Sequence, residues 1–211
     1  MADKRAERRG EHDLAVTGPD QVRNVVLVGP SHSGKTSLVE ALLLHAGAIN
    51  RAGSTADGTT VCDTEDAERS HGRSISLAVA PLVHRRVKVN LVDTPGYADF
   101  VGDLRAGLRA ADCALFVVAA NEEVDEATRA LWRECEQVAM PRAVVVTKLD
   151  HPRADVDAVV AQAREAFGDK VLPVYLAGPD GLTGLLTGET DDPRRGELIE
   201  AIIEEIGRAH V

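Results

Sequence analysis

Aromatic residues make up only 3% of this chain, so Val, Leu, Ile and Ala must fill whatever core it builds. Cysteine is equally sparse: Cys62, Cys113 and Cys135 stand far apart and form no C-x-x-C pair. That spacing argues against a disulfide framework or a zinc site and points to a reducing cytoplasm. Positive charge is in deficit, with a formal net charge of -10. Broad electrostatic binding of free DNA or RNA is disfavoured, while docking on a ribonucleoprotein through a local basic patch stays open. No apolar run is long enough to cross a bilayer, and the N-terminus has no signal-peptide apolar region. What remains is a chain of 211 residues with 44% hydrophobic content, which suits one buried-core domain, or one and a small part.

The most informative stretch is Gly29-Pro30-Ser31-His32-Ser33-Gly34-Lys35-Thr36, which reads G-x-x-x-x-G-K-T. The apolar run Val25–Val28 precedes it, and a helical pattern from Thr36 to Ala46, ended by Gly47, follows. Strand, glycine-bounded loop and helix in that order are the context of a phosphate-binding loop. Loop amides and the helix N-terminus converge on phosphate oxygens. Lys35 is predicted to reach the β- and γ-phosphates, and the Thr36 hydroxyl to ligate Mg2+. The competing reading is a chance glycine-rich turn, which the flanking strand and helix disfavour.

Residues 1–20 mix charges with almost no apolar side chains and read as a disordered leader. The first strand is expected over Val22–Val28. Residues 49–73 lack clear periodicity over most of their length and read as a long, mobile functional loop beside the phosphate site, with a plain surface insertion as the alternative. Two strands, Ser74–Val83 and Val87–Val92, are joined by His84-Arg85-Arg86 and predict an antiparallel hairpin. The second strand runs into Asp93-Thr94-Pro95-Gly96. A carboxylate at the tip of a buried strand suits a Mg2+-bound water, and Gly96 can bring its N–H close to a γ-phosphate. Alone, that stretch would read as a ligand-free turn. Helices are expected over 98–110, 125–138, 155–167 and 197–205, and buried strands over 113–119 and 143–146. Trp132 is assigned to packing. Residues 171–176 are read as a short edge strand because of Pro173, and 178–195 as a turn-rich loop. The pattern is α/β: a doubly wound, mostly parallel, three-layer sheet with one antiparallel hairpin.

These stretches, taken together and in order, resemble the guanine-nucleotide domain of translational GTPases, elongation factor G most closely, over roughly Val22 to Gly188. Besides the phosphate loop, Arg73-Ser74-Ile75-Ser76-Leu77 is similar to the family's Arg-Gly-Ile-Thr-Ile. Asp93-Thr94-Pro95-Gly96-Tyr97 is similar to its Asp-Thr-Pro-Gly-His, and Thr147-Lys148-Leu149-Asp150 to its Asn-Lys-x-Asp. The resemblance implies GTP/GDP and Mg2+ as ligands and the ribosome as partner of a cytoplasmic, monomeric factor. It implies metal contacts from Thr36, Ser76 and, through water, Asp93. Gly96 is implied to sense the γ-phosphate, Asp150 to read the guanine N1–H and amine, and Lys148 to lie over base and ribose. Lys35, Gly96 and Tyr97 are the implied catalytic set.

The departures from the family are His32 for Asp, Ser76 for Thr, Thr147 for Asn and Tyr97 for His. They resemble an elongation factor G-like paralogue and imply GTP binding with slow hydrolysis. Two other functions compete: a non-catalytic GTP-dependent switch, and a phosphate-loop kinase, which leaves Thr147–Asp150 without a purpose. The expected organisation is a nucleotide domain over 21–170 that lacks its final core strand, the start of an insertion over 171–205, and an artefactual tail, Ile206–Val211, whose codons can match a sequencing adapter.

Overall fold

The structure is a computed structural model, which describes residues 16–62, 76–96, 101–178, 181–187 and 190–209. Residues 1–15 of the expected leader, most of the Arg73–Leu77 stretch, and Tyr97 with the three residues after it lie outside the described residues, while the leader's last residues enter a short 3-10 turn, Pro19–Gln21. The chain divides into two compact units, 1–159 and 160–211.

The first unit is built on strands β1 (Val22–Val28), β2 (Ala78–His84), β3 (Val87–Asp93), β4 (Cys113–Ala119) and β5 (Arg142–Thr147). They form one sheet in the order β2-β3-β1-β4-β5, parallel except for the β2–β3 hairpin. Helices α1 (Lys35–Ala46), α2 (Val101–Ala110) and α3 (Glu126–Gln137) connect the strands. Period-two alternation sorts the side chains into layers. Leu27 and Val117 cluster with Val39 and Leu43 of α1 on one face. On the other face Val26 lies against Gly107 of α2, and Phe116 meets Trp132 of α3 edge-on at 5.1 Å. Trp132 is therefore a packing residue, with the Arg142 guanidinium 4.1 Å above its ring. Asp125 starts α3 by accepting hydrogen bonds from the Thr128 N–H and hydroxyl at 2.8 and 2.7 Å.

β2 begins at Ala78 rather than Ser74, because its ladder partner for Ala78 is Asp93, the last residue of β3. The β2–β3 ladder therefore ends with the Ala78–Asp93 pair. Pro81 is tolerated because β2 is the sheet edge.

The second unit takes the end of α4 (Val156–Phe167), then β6 (Tyr175–Gly178), β7 (Gly181–Gly184) and α5 (Arg194–Ala209). The expected strand at 171–176 is corrected here. Only Tyr175 onward is strand, and it pairs with β7 in a separate two-stranded sheet. Pro173 cannot donate a ladder bond, and Gly181, at φ 115, opens β7 opposite Gly178. The segment expected as a turn-rich loop over 178–195 thus contains β7, and α5 starts earlier than residue 197. Asp192, placed just before α5, accepts from the Arg194 N–H at 3.0 Å and pairs with its guanidinium at 2.7 Å.

The β2–β3 connection is a two-residue turn in which Arg85 (φ 48) and Arg86 (φ 64) are both left-handed. Such turns favour Asn-Gly, because side chains with a Cβ crowd the following carbonyl there. Arg85→Asn with Arg86→Gly is expected to stabilise the protein by about 1 kcal/mol. Thermal unfolding checks this: a rise of a few degrees is expected, and a fall would mean the arginines are held by compensating contacts.

Candidate functional site

Parallel register brings the ends of β1, β3, β4 and β5 to one edge: Leu27 sits beside Asp93, Val28 beside Phe116, and Ala119 beside Thr147. β1 lies where the sheet order changes direction, the position at which doubly wound folds bind ligands. Gly29 leaves β1 at φ 151, and a Cβ there would strike the carbonyl oxygen of Val117. The loop then turns through His32 (φ 64) and Gly34 (φ 92) and enters α1 with no side-chain hydrogen bond capping it, the kind of helix start that suits phosphate oxygens.

Lys35 and Thr36 open α1 and are buried. The Lys35 ammonium curls back and donates to the carbonyls of Gly29 and Pro30, both at 2.9 Å. Burial lowers its pKa to about 8, against the opposing pull of Asp93. The Thr36 hydroxyl donates to Asp93 Oδ2 at 2.6 Å, and Asp93 is itself only 1% exposed. The neighbouring Thr94 hydroxyl donates to the Leu27 carbonyl at 2.6 Å and fixes the exit of β3 against β1. Past the buried Pro95, Gly96 closes onto the loop: an added Cβ would lie 2.5 Å from the Ser31 nitrogen and 2.6 Å from Lys35 Nζ.

The group this arrangement suits is a polyphosphate with a hard cation. The Ser33 hydroxyl is fully buried and has no hydrogen-bond partner among the described residues. With the Lys35 ammonium and the uncapped helix it makes a donor set for phosphate oxygens. The Thr36 hydroxyl beside the Asp93 carboxylate is an oxygen pair of the kind that holds Mg2+ with waters and substrate oxygens. Among the described residues no three His, Cys, Asp or Glu side chains gather, so a metal held by protein carboxylates or imidazoles alone is not built there.

The remaining candidates sit on the same edge. Thr147 Oγ1 lies 2.5 Å from the Ser33 carbonyl and 3.1 Å from that of Val118. The hydroxyl at this position therefore ties the end of β5 to the phosphate loop. Lys148 is left-handed (φ 55), and its ammonium pairs with Glu122 at 3.0 Å. Leu149 and Asp150 are exposed in the turn that follows. Ser76 lies two residues before β2, so the chain there runs past the Asp93 end of the sheet. Sequence reasoning assigned no role to Glu122 or to the buried Glu40, which accepts from the amides of Gly53 and Val61. A glutamate in a helical pattern carries no mark of which backbone it will meet. Residues 53–61, expected as part of a mobile loop, are hydrogen-bonded to α1 through it.

The buried lysine gives a pH dependence whose sign is fixed. Between about 8 and 10.5 the unfolded chain holds the Lys35 proton and the folded one does not, so stability rises with pH across that window. The gain is complete above 10.5 and absent below 8. Denaturant unfolding of the nucleotide-free protein and of Lys35→Met should show their difference changing by about 3 kcal/mol over this range. A constant difference would show that the ammonium is not desolvated.

Known proteins agree with this geometry. The Elongation factor Tu GTP binding domain family matches residues 20–206. An elongation factor G-like protein of Mycobacterium tuberculosis (strain CDC 1551 / Oshkosh) is 60% identical over 208 residues, covering 89% of this chain and 29% of that protein. Elongation factor G 2 of Streptomyces coelicolor is 35% identical, covering 85% and 26%. The oxytetracycline resistance protein of Streptomyces rimosus is 36% identical, covering 83% and 28%. A crystal structure of a Thermus thermophilus protein superposes with TM-score 0.79 at 35% identity, covering 88% of this chain and 32% of that one. The chain thus spans less than a third of the length of these relatives. By sequence along nearly its whole length and by the course of its sheet, it belongs to the elongation factor Tu GTP-binding domain family.

Proposed function

We propose that this chain binds GTP with Mg2+ and hydrolyses it slowly, as the nucleotide switch of an elongation factor G-like protein that works on the ribosome. One observation carries the reading: Gly96 approaches the Ser31 amide and the Lys35 ammonium, next to the Thr36–Asp93 bond. Amide, ammonium, hydroxyl and carboxylate thus meet where a γ-phosphate and its cation need them together. Lys35 would exchange the Gly29 and Pro30 carbonyls for β- and γ-oxygens, and a nearby anion would raise its pKa again. Thr36, with Ser76 and, through water, Asp93, would hold the metal. Bound Mg2+ supplies neutralisation of the charge shared by the β- and γ-phosphates. Gly96, with no side chain in the way, would present its N–H to the γ-phosphate. Asp150 would accept from the guanine N1–H and amine, with the Lys148 stem over the base and ribose.

Tyr97 replaces the histidine that the family uses to orient water. Histidine exchanges a proton near neutrality, with a reference pKa of about 6.5, whereas the phenol at about 10 stays neutral and reaches farther. Water positioning is weakened, which is why the proposed turnover is slow. Residues 21–170 would carry the nucleotide and 171–205 would begin an insertion. The fact that β6 and β7 pair with each other, in a sheet of their own, supports that division. A cytoplasmic setting and a monomer complete the reading. Among the described residues no helix is long and apolar enough to cross a membrane.

Guanine specificity is tested by titrating GTP, ATP and xanthosine triphosphate. Asp150→Asn should weaken GTP by about tenfold or more, since a buried base edge loses a charge-assisted pair, and should favour the xanthine nucleotide. Equal binding of ATP and GTP by the unaltered chain would sink the reading. Turnover is tested by GTP hydrolysis with ribosomes: Tyr97→His should raise hydrolysis on the order of 10²-fold or more with little change in GTP affinity. If histidine brings no gain and turnover is already fast, another group orients the water.

A further inference from the structure

We infer that Glu40 is a positioning residue that ties the phosphate-binding helix to the loop 53–61 and thereby sets the preference for nucleoside triphosphate over diphosphate. The inference rests on the functional reading above and extends it to a residue outside the nucleotide motifs. Glu40 is 2% exposed, and both of its carboxylate oxygens are used: Oε2 accepts from the Gly53 N–H at 2.7 Å and Oε1 from the Val61 N–H at 2.6 Å. A carboxylate taken out of water needs such partners, and bonds to a charged acceptor are the stronger kind.

The two amides flank a loop that closes on itself. The Ser54 N–H donates to Thr59 Oγ1 at 2.9 Å, and the Thr59 N–H donates to the Ser54 carbonyl at 3.1 Å. Gly58 (φ 60) completes the turn by donating to Thr55 at 3.4 Å. At the stem, a Cβ on Gly53 would come within 2.6 Å of the Thr59 carbonyl carbon and of Thr60 Cα. Only glycine lets the two sides of the loop stem approach closely enough for one carboxylate to hold both amides. Beyond the stem, Cys62 is 3% exposed and packs in the cluster that contains Val39 and Leu43 of α1. The loop is thus fastened to α1 by a two-pronged polar bond and by an apolar contact.

The fastening lies on the helix that opens with Lys35 and Thr36. Glu40 follows Thr36 by four residues, one helical turn along the same face. The loop leads in sequence toward Ser76, the proposed partner of the metal in the triphosphate state. Holding it to the helix removes freedom that the chain would otherwise lose when Ser76 engages. The diphosphate, held by the phosphate loop and the base-reading turn, does not draw on that arrangement. Glu40 therefore favours the triphosphate selectively.

The test uses the whole chain and the isosteric variant Glu40→Gln, in which a donor NH2 replaces one of the two acceptor oxygens and faces an N–H it cannot accept from. In nucleotide-free protein, hydrogen exchange at Gly53 and Val61 is expected to quicken by about tenfold or more. At fixed Mg2+, GTP affinity is expected to fall about five- to tenfold while GDP affinity stays within about twofold. Gly53→Ala, which spreads the stem and leaves the carboxylate intact, should give the same selective loss and guards against a folding defect in the first variant. Equal weakening of GTP and GDP would make Glu40 a purely structural residue and overturn the inference, as would unchanged exchange. If the unaltered chain bound neither nucleotide, the reading of the pocket would fail and the nucleotide preference with it, while the exchange data would still tell a held loop from an unheld one.

Discussion

A side chain at position 29 would collide with the carbonyl of Val117, and the site depends on that close approach. β1 is the middle strand of five and is fully buried at Val26, Leu27 and Val28. Its exit passes directly against β4. A residue without Cβ can turn there, and the turn sends the chain across the end of the sheet instead of into solvent. Lys35 and Thr36 consequently become the first residues of a helix whose amides face the sheet edge. The registers β1–β3 and β4–β5 then deliver Asp93, Gly96 and Thr147 to the same place.

The polar groups of this edge are buried in a protein whose core is mostly aliphatic. Each is satisfied by a neighbour: Lys35 by loop carbonyls, Thr36 by Asp93, Thr94 by Leu27, Thr147 by Ser33. The Ser33 hydroxyl is an exception among the described residues. A desolvated ammonium with a pKa of about 8 destabilises the free protein. An incoming phosphate offsets that desolvation, so part of the stability of the bound state is withheld until the ligand arrives. The Glu40 carboxylate obeys the same rule, but its partners are backbone amides of another segment, so satisfying it organises that segment.

Local sequence was a good guide where one chemical rule acts over a few neighbouring residues. The G-x-x-x-x-G-K-T loop, the apolar strands over 22–28 and 113–119 and the helix ended by Gly47 all stand where their residues imply. The strand limits of β2, the self-pairing of 175–184 and the early start of α5 were misread. Each depends on which partner is present opposite a given residue, and a strand without a partner is only an extended chain. Thr147 was legible as a departure from the usual asparagine. That its hydroxyl still reaches the phosphate loop required the packing of β5 beside β4.

The sequence by itself determined the doubly wound class, the nucleotide motifs and their family, because glycine conformations, strand periodicity and helix termini are short-range properties. The tertiary structure alone decided what the charged groups touch. No pattern in the sequence marks a role for Glu40 or Glu122, yet one is buried under a loop 13 and 21 residues away and the other holds the lysine expected over the base. Electrostatic and hydrogen-bond partners are set by distance in space, and no pattern along the chain encodes that distance until the sheet has brought its ends together.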